Sequence, residues 1–252
     1  MNKNLVRQSI NILLVIATIV VNALANIIPF NGKNTGVISG QFHVYFVPAG
    51  YVFSIWGIIY LGLIAYGIYQ ALPAQRDNPR LRNADGFFIL ASLANILWLF
   101  LWHYEQFVGT LAAMLVLLAS LIAVYLRLRI HETKVSKSET WAVRIPFSIY
   151  LGWITVATIA NVTDVLDYVK WNQFGHSAGT WMLFILFAVV VIAGLMSFTR
   201  RDIAYTAIIL WALAGIGVKF PHQGIITTGI WIAFGLVAAT LAGAFLVKRK
   251  TA

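Results

Sequence analysis

The chain has 252 residues, of which 60% are hydrophobic and only 10% charged; its mean hydropathy is +0.83 and its formal net charge +10. Such a composition is far from soluble globular usage and describes a polytopic membrane protein with no room for a separate soluble domain. The chain lacks cysteine, which excludes disulfides, thiolate metal sites, cysteine nucleophiles and thiol redox chemistry.

Apolar runs mark eight spans, at about 8 to 28, 50 to 71, 85 to 104, 107 to 130, 142 to 163, 179 to 199, 202 to 218 and 224 to 247. The first begins with Lys3 and Arg7 and ends near Ala23-Leu24-Ala25, which imitates a signal peptide with its cleavage motif. Its apolar run is longer than a signal core, so we read it as a retained span. Residues 29 to 49 follow as a loop punctuated by Pro29, Gly32, Gly36 and Gly40, with Phe42, Tyr45 and Phe46 as interfacial aromatics. That loop is long enough to fold over a cavity mouth.

The second span, preceded by Pro48, places Phe53, Trp56, Tyr60, Leu63 and Gly67 on one side of a helix. A loop at 72 to 84 carries Pro73, Pro79 and three arginines. In the third span Asn95, Trp98 and Trp102 share a face. The segment 131 to 141 is polar, charged and expected to be the least ordered internal stretch. In the fifth span Pro146, Tyr150, Trp153, Ala157 and Asn161 share a face. Residues 164 to 178, with Asp164, Asp167, Lys170, Trp171, Asn172 and His176, read as an interfacial connection. The last three spans are rich in small residues, Gly194, Gly215, Gly217, Gly235 and Gly243, that permit close helix approach.

Eight spans put both termini on one side. Fifteen of the 18 Lys and Arg then share that side, including Lys248, Arg249 and Lys250, and only Lys33, Lys170 and Lys219 lie opposite. Basic residues gather in cytoplasmic loops, so the count expects cytoplasmic termini in a cell inner (plasma) membrane, and it explains the charge without nucleic acid.

No span core shows a clear Asp, Glu, Lys or Arg, which weighs against ion pumps and proton-coupled carriers. No Gly-x-Ser-x-Gly, Walker loop, His-Glu-x-x-His or carboxylate pair on one face is present, so no catalytic residue is assigned and turnover is left open. His43, His103, His176 and His222 all fall on the outer side; they are read as independent interfacial residues, and no metal site is assigned. The indole, amide and phenol groups in the second, third and fifth spans need partners in lipid, so their faces point inward. They serve either as interhelical hydrogen-bond seams or as walls of a flat apolar pocket edged by polar groups.

The order of these motifs resembles the translocator protein family, the tryptophan-rich sensory proteins (TspO/MBR). The likeness rests on a proline and aromatics before Trp56 and Tyr60, on Asn95 with Leu97-Trp98, and on Pro146-x-x-x-Tyr150-Leu151-x-Trp153 with Ala157 and Asn161. It covers residues 8 to 165. The resemblance implies an all-α transmembrane bundle with a five-helix ligand-binding core (1–165), often dimeric; the three-helix extension (166–252) follows where the family normally ends, and the resemblance is silent about it. For the core it further implies a cavity for porphyrin, haem or sterol-like ligands with no required cofactor. By position, Phe53, Trp56, Tyr60, Asn95, Trp98, Tyr150, Trp153, Ala157 and Asn161 are the expected ligand-binding residues. The family commonly has two adjacent prolines before the second helix, where this chain keeps only Pro48. The alternative is a structural subunit of a larger membrane assembly, pigment-containing or not, favoured by the small-residue faces of the extension.

Overall fold

The computed structural model describes residues 3–247; Lys248, Arg249, Lys250 and Thr251 lie outside the described residues. Lipid cannot satisfy backbone N–H and C=O groups, so each apolar run closes its own hydrogen bonds as a helix. The long helices are α1 (Lys3–Ile27), α2 (Gly50–Ala71, with a 3₁₀ first turn), α3 (Pro79–His103), α4 (Phe107–Arg127), α5 (Lys137–Tyr168), α6 (Ala178–Arg200), α7 (Ile203–Lys219) and α8 (Ile225–Leu246). Seven are long and apolar enough to cross a membrane; α7 is the shorter apolar helix. Its 17 residues rise about 26 Å, a little less than a hydrocarbon core.

Capping chemistry moves several boundaries away from where hydropathy puts them. Pro79 occupies the first turn of α3 and the Asn78 side chain accepts from Arg80 N–H, so the helix starts six residues before the apolar run expected from position 85. Ser136 Oγ accepts from Glu139 N–H at 3.1 Å and starts α5 inside the stretch expected to be least ordered. A π-helical turn at Thr140–Arg144 then leads into Pro146. At its other end α5 runs on through Asp164 to Tyr168, so the connection expected at 164 to 178 shrinks to a turn around Gln173–Gly175. Ser177 caps α6, Arg201 ends it in a left-handed conformation, and Asp202 caps α7.

The helices alternate up and down, and polar ties hold each end. At the end carrying the first turn of α1, Arg7 pairs with Asp85, Gln8 and Gln70 exchange hydrogen bonds with each other's backbone, and Arg80 meets Glu139 at 2.8 Å. Asp202 there accepts from Tyr125 Oη (2.8 Å) and Ser148 Oγ (2.5 Å), joining α4, α5 and α7. At the opposite end Lys33 pairs with Glu105, and His43 N–H donates to Asp167 at 3.0 Å. The expectation of no clear acidic residue in a span core is qualified: Asp85, Glu139 and Asp164 are buried within α3 and α5, each toward a helix end. The first two sit near helix ends against arginines, the arrangement that lets a buried charge persist.

The last three helices join the first five through α7. A Cβ on Gly152 of α5 would stand 2.9 Å from the Tyr205 carbonyl, and one on Gly215 of α7 would strike Val52. Ala49 N–H donates to the Gly215 carbonyl (3.2 Å), Trp211 Nε1 to the Val52 carbonyl (3.1 Å) and Tyr205 Oη to Thr155 Oγ1 (3.0 Å). α8 packs in turn on α6 and α7, with Gly217 against Trp231 and Gly229 against Leu183. One continuous apolar cluster runs through both groups of helices.

Candidate functional site: an aromatic cavity under the outer loop

Helical periodicity brings the inward faces of α2, α3, α4 and α5 around one cavity, and the loop after α1 covers it. Its walls include Phe53, Trp56, Asn95, Trp98, Trp153, Ala157 and Asn161, with Thr35, Ser39, Val47 and Pro48 from the loop above. Seven of the nine residues expected from sequence thus meet at one place. Tyr60 and Tyr150 stand outside the lining: Tyr60 stacks on Trp56 at 5.6 Å, and Tyr150 lies behind the wall, its ring edge-on to Trp56. The two cavity tryptophans are edge to face, Trp56 to Trp153 at 6.3 Å, with Phe53 edge-on to Trp153 at 5.7 Å.

Most polar groups in this wall are already committed. Asn22 Nδ2 donates to Asn95 Oδ1 (2.8 Å) and Asn95 Nδ2 donates to Tyr150 Oη (3.1 Å), a seam across α1, α3 and α5. Trp98 Nε1 donates to Asn161 Oδ1 (3.2 Å), and Asn161 Nδ2 to Thr110 Oγ1 (2.9 Å). For Asn95, Trp98, Tyr150 and Asn161 the interhelical-seam role is therefore what the geometry displays.

Three lining groups have no hydrogen-bond partner although buried: Trp153 Nε1, Thr35 Oγ1 and Asp164 Oδ1. Leaving such a group unsatisfied costs about 1–3 kcal/mol, more for a carboxylate. Sequence reading missed Asp164 and Thr35. The usable signal for Asp164 was the lack of any glycine or proline between Asn161 and Lys170, so nothing ends the helix before the aspartate.

The cavity itself measures about 60 Å³. That is room for about two waters, where ligand pockets run to about 300–1,000 Å³. A second cavity, about 330 Å³, lies on the reverse side of α5, between its outer end, residues 43–46 and the first turns of α6, with Trp171 and Trp181 at its edge. A third, about 450 Å³, is an open groove between α1 and α2 lined by Ile12, Ile16, Ile64 and Ile68. Neither contains an unpartnered buried polar atom, so neither makes the demand for a partner that the central cavity makes. Among the described residues no group of three His, Asp or Glu side chains is arranged to hold a metal ion.

The described residues thus form an all-helical membrane bundle with an indole-walled cavity under a loop. The family model described as TSPO-like protein matches residues 8–246. The chain belongs to that family, which marks it as a membrane ligand-binding or sensing protein. The match takes in α6, α7 and α8, whereas the residue motifs that carry the likeness stop near residue 165. No curated protein and no solved structure matches the chain.

Proposed function

We propose that the protein binds a flat hydrophobic molecule, of the porphyrin or haem class, between α2, α3, α4 and α5, for sensing, trafficking or photoprotection. The observation that carries this reading is the edge-to-face pair of indoles, Trp56 and Trp153, with an unpartnered Trp153 N–H in one cavity. Indole faces stack on a conjugated ring, and the free N–H supplies one directional contact. A ring of tetrapyrrole size exceeds the cavity of about 60 Å³, so in this reading the loop at 29 to 49 lifts to admit it. In this reading the chain resides in the cell inner membrane with both termini cytoplasmic, as the distribution of Lys and Arg favours.

The test is titration of the detergent-solubilised protein with protoporphyrin IX, followed through the porphyrin absorbance so that tryptophan substitutions do not remove the signal. Saturable binding that weakens at least about tenfold in Trp153→Ala, and likewise in Trp56→Ala, is expected; one buried aromatic contact is worth that much. Unchanged affinity in both variants sinks the assignment of this cavity.

A further inference from the structure

The described residues contain four buried acidic side chains, and three of them are fully provided for. Asp85 holds Arg7 and Asn11; Glu139 holds Arg80 and Tyr69; Asp202 takes hydrogen bonds from Tyr125, Ser148 and the Tyr205 N–H. Asp164 is the fourth, 3% exposed and without a hydrogen bond, and it is the one that lines the central cavity. A chain that pairs its other buried acids has left this one facing an enclosed space walled by aromatic rings.

The charged groups whose fields reach Asp164 are Asp167, one turn further along α5, and Lys219 at the end of α7. Asp167 is occupied by the His43 N–H, and Lys219 stands beside the Phe220 ring. Asp167 and Lys219 act on it in opposite senses. A basic nitrogen gains from the Asp164 carboxyl group and from the electron-rich faces of Trp56, Trp98 and Trp153. The Trp153 N–H provides a donor for an acceptor elsewhere on the same molecule.

We propose that Asp164 is the polar anchor of the cavity, and that it selects a flat apolar ligand carrying a basic nitrogen, whose N–H donates to the carboxylate. This rests on the reading of the central cavity as a ligand site, and it names the ligand chemistry that the aromatic wall alone leaves open. Asp164 is a specificity residue: it discriminates between ligands of equal shape by their charge.

The experiment uses the full-length protein in detergent at pH 7 and three probes that share one naphthalene ring and differ in side-chain charge: 1-naphthylmethylamine, its neutral N-acetyl derivative and 1-naphthylacetate. Binding is measured by calorimetry, and thermal unfolding of each variant confirms that it is folded. The amine should bind at least about tenfold more tightly than the neutral amide or the acetate, since only the amine forms an ion pair with the carboxyl group. In Asp164→Asn the amine and amide should fall within about twofold of each other while Asp167→Asn keeps the preference. Equal affinities in the native protein overturn the proposal without any variant being needed, as does a preference that survives Asp164→Asn. A preference abolished by Asp167→Asn and not by Asp164→Asn moves the site to the cavity on the reverse side of α5, which Asp167 lines, and overturns it too. If the three probes bind alike and all are lost in Trp153→Ala, the cavity reading stands and Asp164 is not its anchor; if none binds and porphyrin does not either, both fall.

Discussion

Gly152 offers a sharp test of how the last three helices hold the cavity in shape, because it precedes Trp153 and sits where α5 meets α7. A Cβ built there lies 2.9 Å from the Tyr205 carbonyl oxygen, 3.2 Å from the Ile208 Cβ and 3.3 Å from the Tyr205 Cα. Two of these are backbone atoms, so no rotamer change relieves the clash and α7 must withdraw by several tenths of an ångström. Overpacking of this kind costs about 1–3 kcal/mol, against about 0.5–1 kcal/mol gained by replacing glycine with alanine in a helix. Gly152→Ala should therefore lose roughly 1–2 kcal/mol net. Gly235, on α8, has nothing within 4 Å of its missing Cβ, so Gly235→Ala keeps the helix gain and pays nothing. Unfolding of both variants in mixed micelles of mild and denaturing detergent, followed by tryptophan fluorescence, gives the difference directly. Equal stability of the two refutes the reasoning that a close α5–α7 approach positions Trp153.

Asp202 sits between α6 and α7 with no solvent exposure. Burial opposes its ionisation, but hydrogen bonds from His131, Ser148 and the Tyr205 N–H, with the charge of His131, outweigh that and hold the carboxyl below its ordinary range. A depressed carboxylate adds stability above the unfolded value of about 4, and that stability is lost as pH falls through the lower folded value. Asp202→Asn should thus cost about 2–3 kcal/mol at pH 7 and flatten the acid limb of a plot of Tm against pH; an unchanged acid limb contradicts the assignment. Topology is open to labelling because the chain has no native cysteine. Single cysteines at Asn34 and Asn172 should react with an impermeant maleimide on intact cells, and those at Ser136 and Thr251 should not; reaction at Thr251 overturns the eight-span orientation.

The number and order of the helices were legible because lipid imposes one demand on every span, an uninterrupted apolar run, and hydropathy reads that demand directly. The aromatic cavity was legible for a similar reason: Phe53, Trp56, Trp98, Trp153, Ala157 and Asn161 recur at helical spacing, and indoles and amides turn inward where lipid offers no partner. Tyr60 and Tyr150 obey the same periodicity yet miss the lining, since spacing fixes the face of a helix and not how neighbouring helices are rotated against it. Small residues show the limit more plainly. Of the glycines marked in the last three spans, Gly215 and Gly217 stand at tight approaches and Gly235 meets nothing, while Gly152 and Gly229, equally crowded, look no different in sequence. Which glycine is needed depends on the register between helices, and one strand of sequence does not carry it.

Asp164 was missed for a reason that bears on function. Hydropathy assigns an aspartate to the aqueous side by default, so the end of α5 was drawn just before it, although Val165 and Leu166 carry the apolar pattern onward to Tyr168. The default fails where a polar side chain faces a cavity instead of lipid, which is where a binding group is expected to be. The loop above Asp164 is tied down by Trp102 Nε1 to the Thr35 carbonyl at 3.3 Å, Asn31 to the His103 carbonyl at 3.1 Å, the His43 N–H to Asp167 at 3.0 Å, the Lys33–Glu105 pair, and Phe42 edge-on to Phe107. The seam through Asn22, Asn95 and Tyr150 on the inner side is buried and short. In the proposed reading a tetrapyrrole needs more room than about 60 Å³, and the ties that must give way to admit it are those that hold residues 29 to 49, not the buried seam.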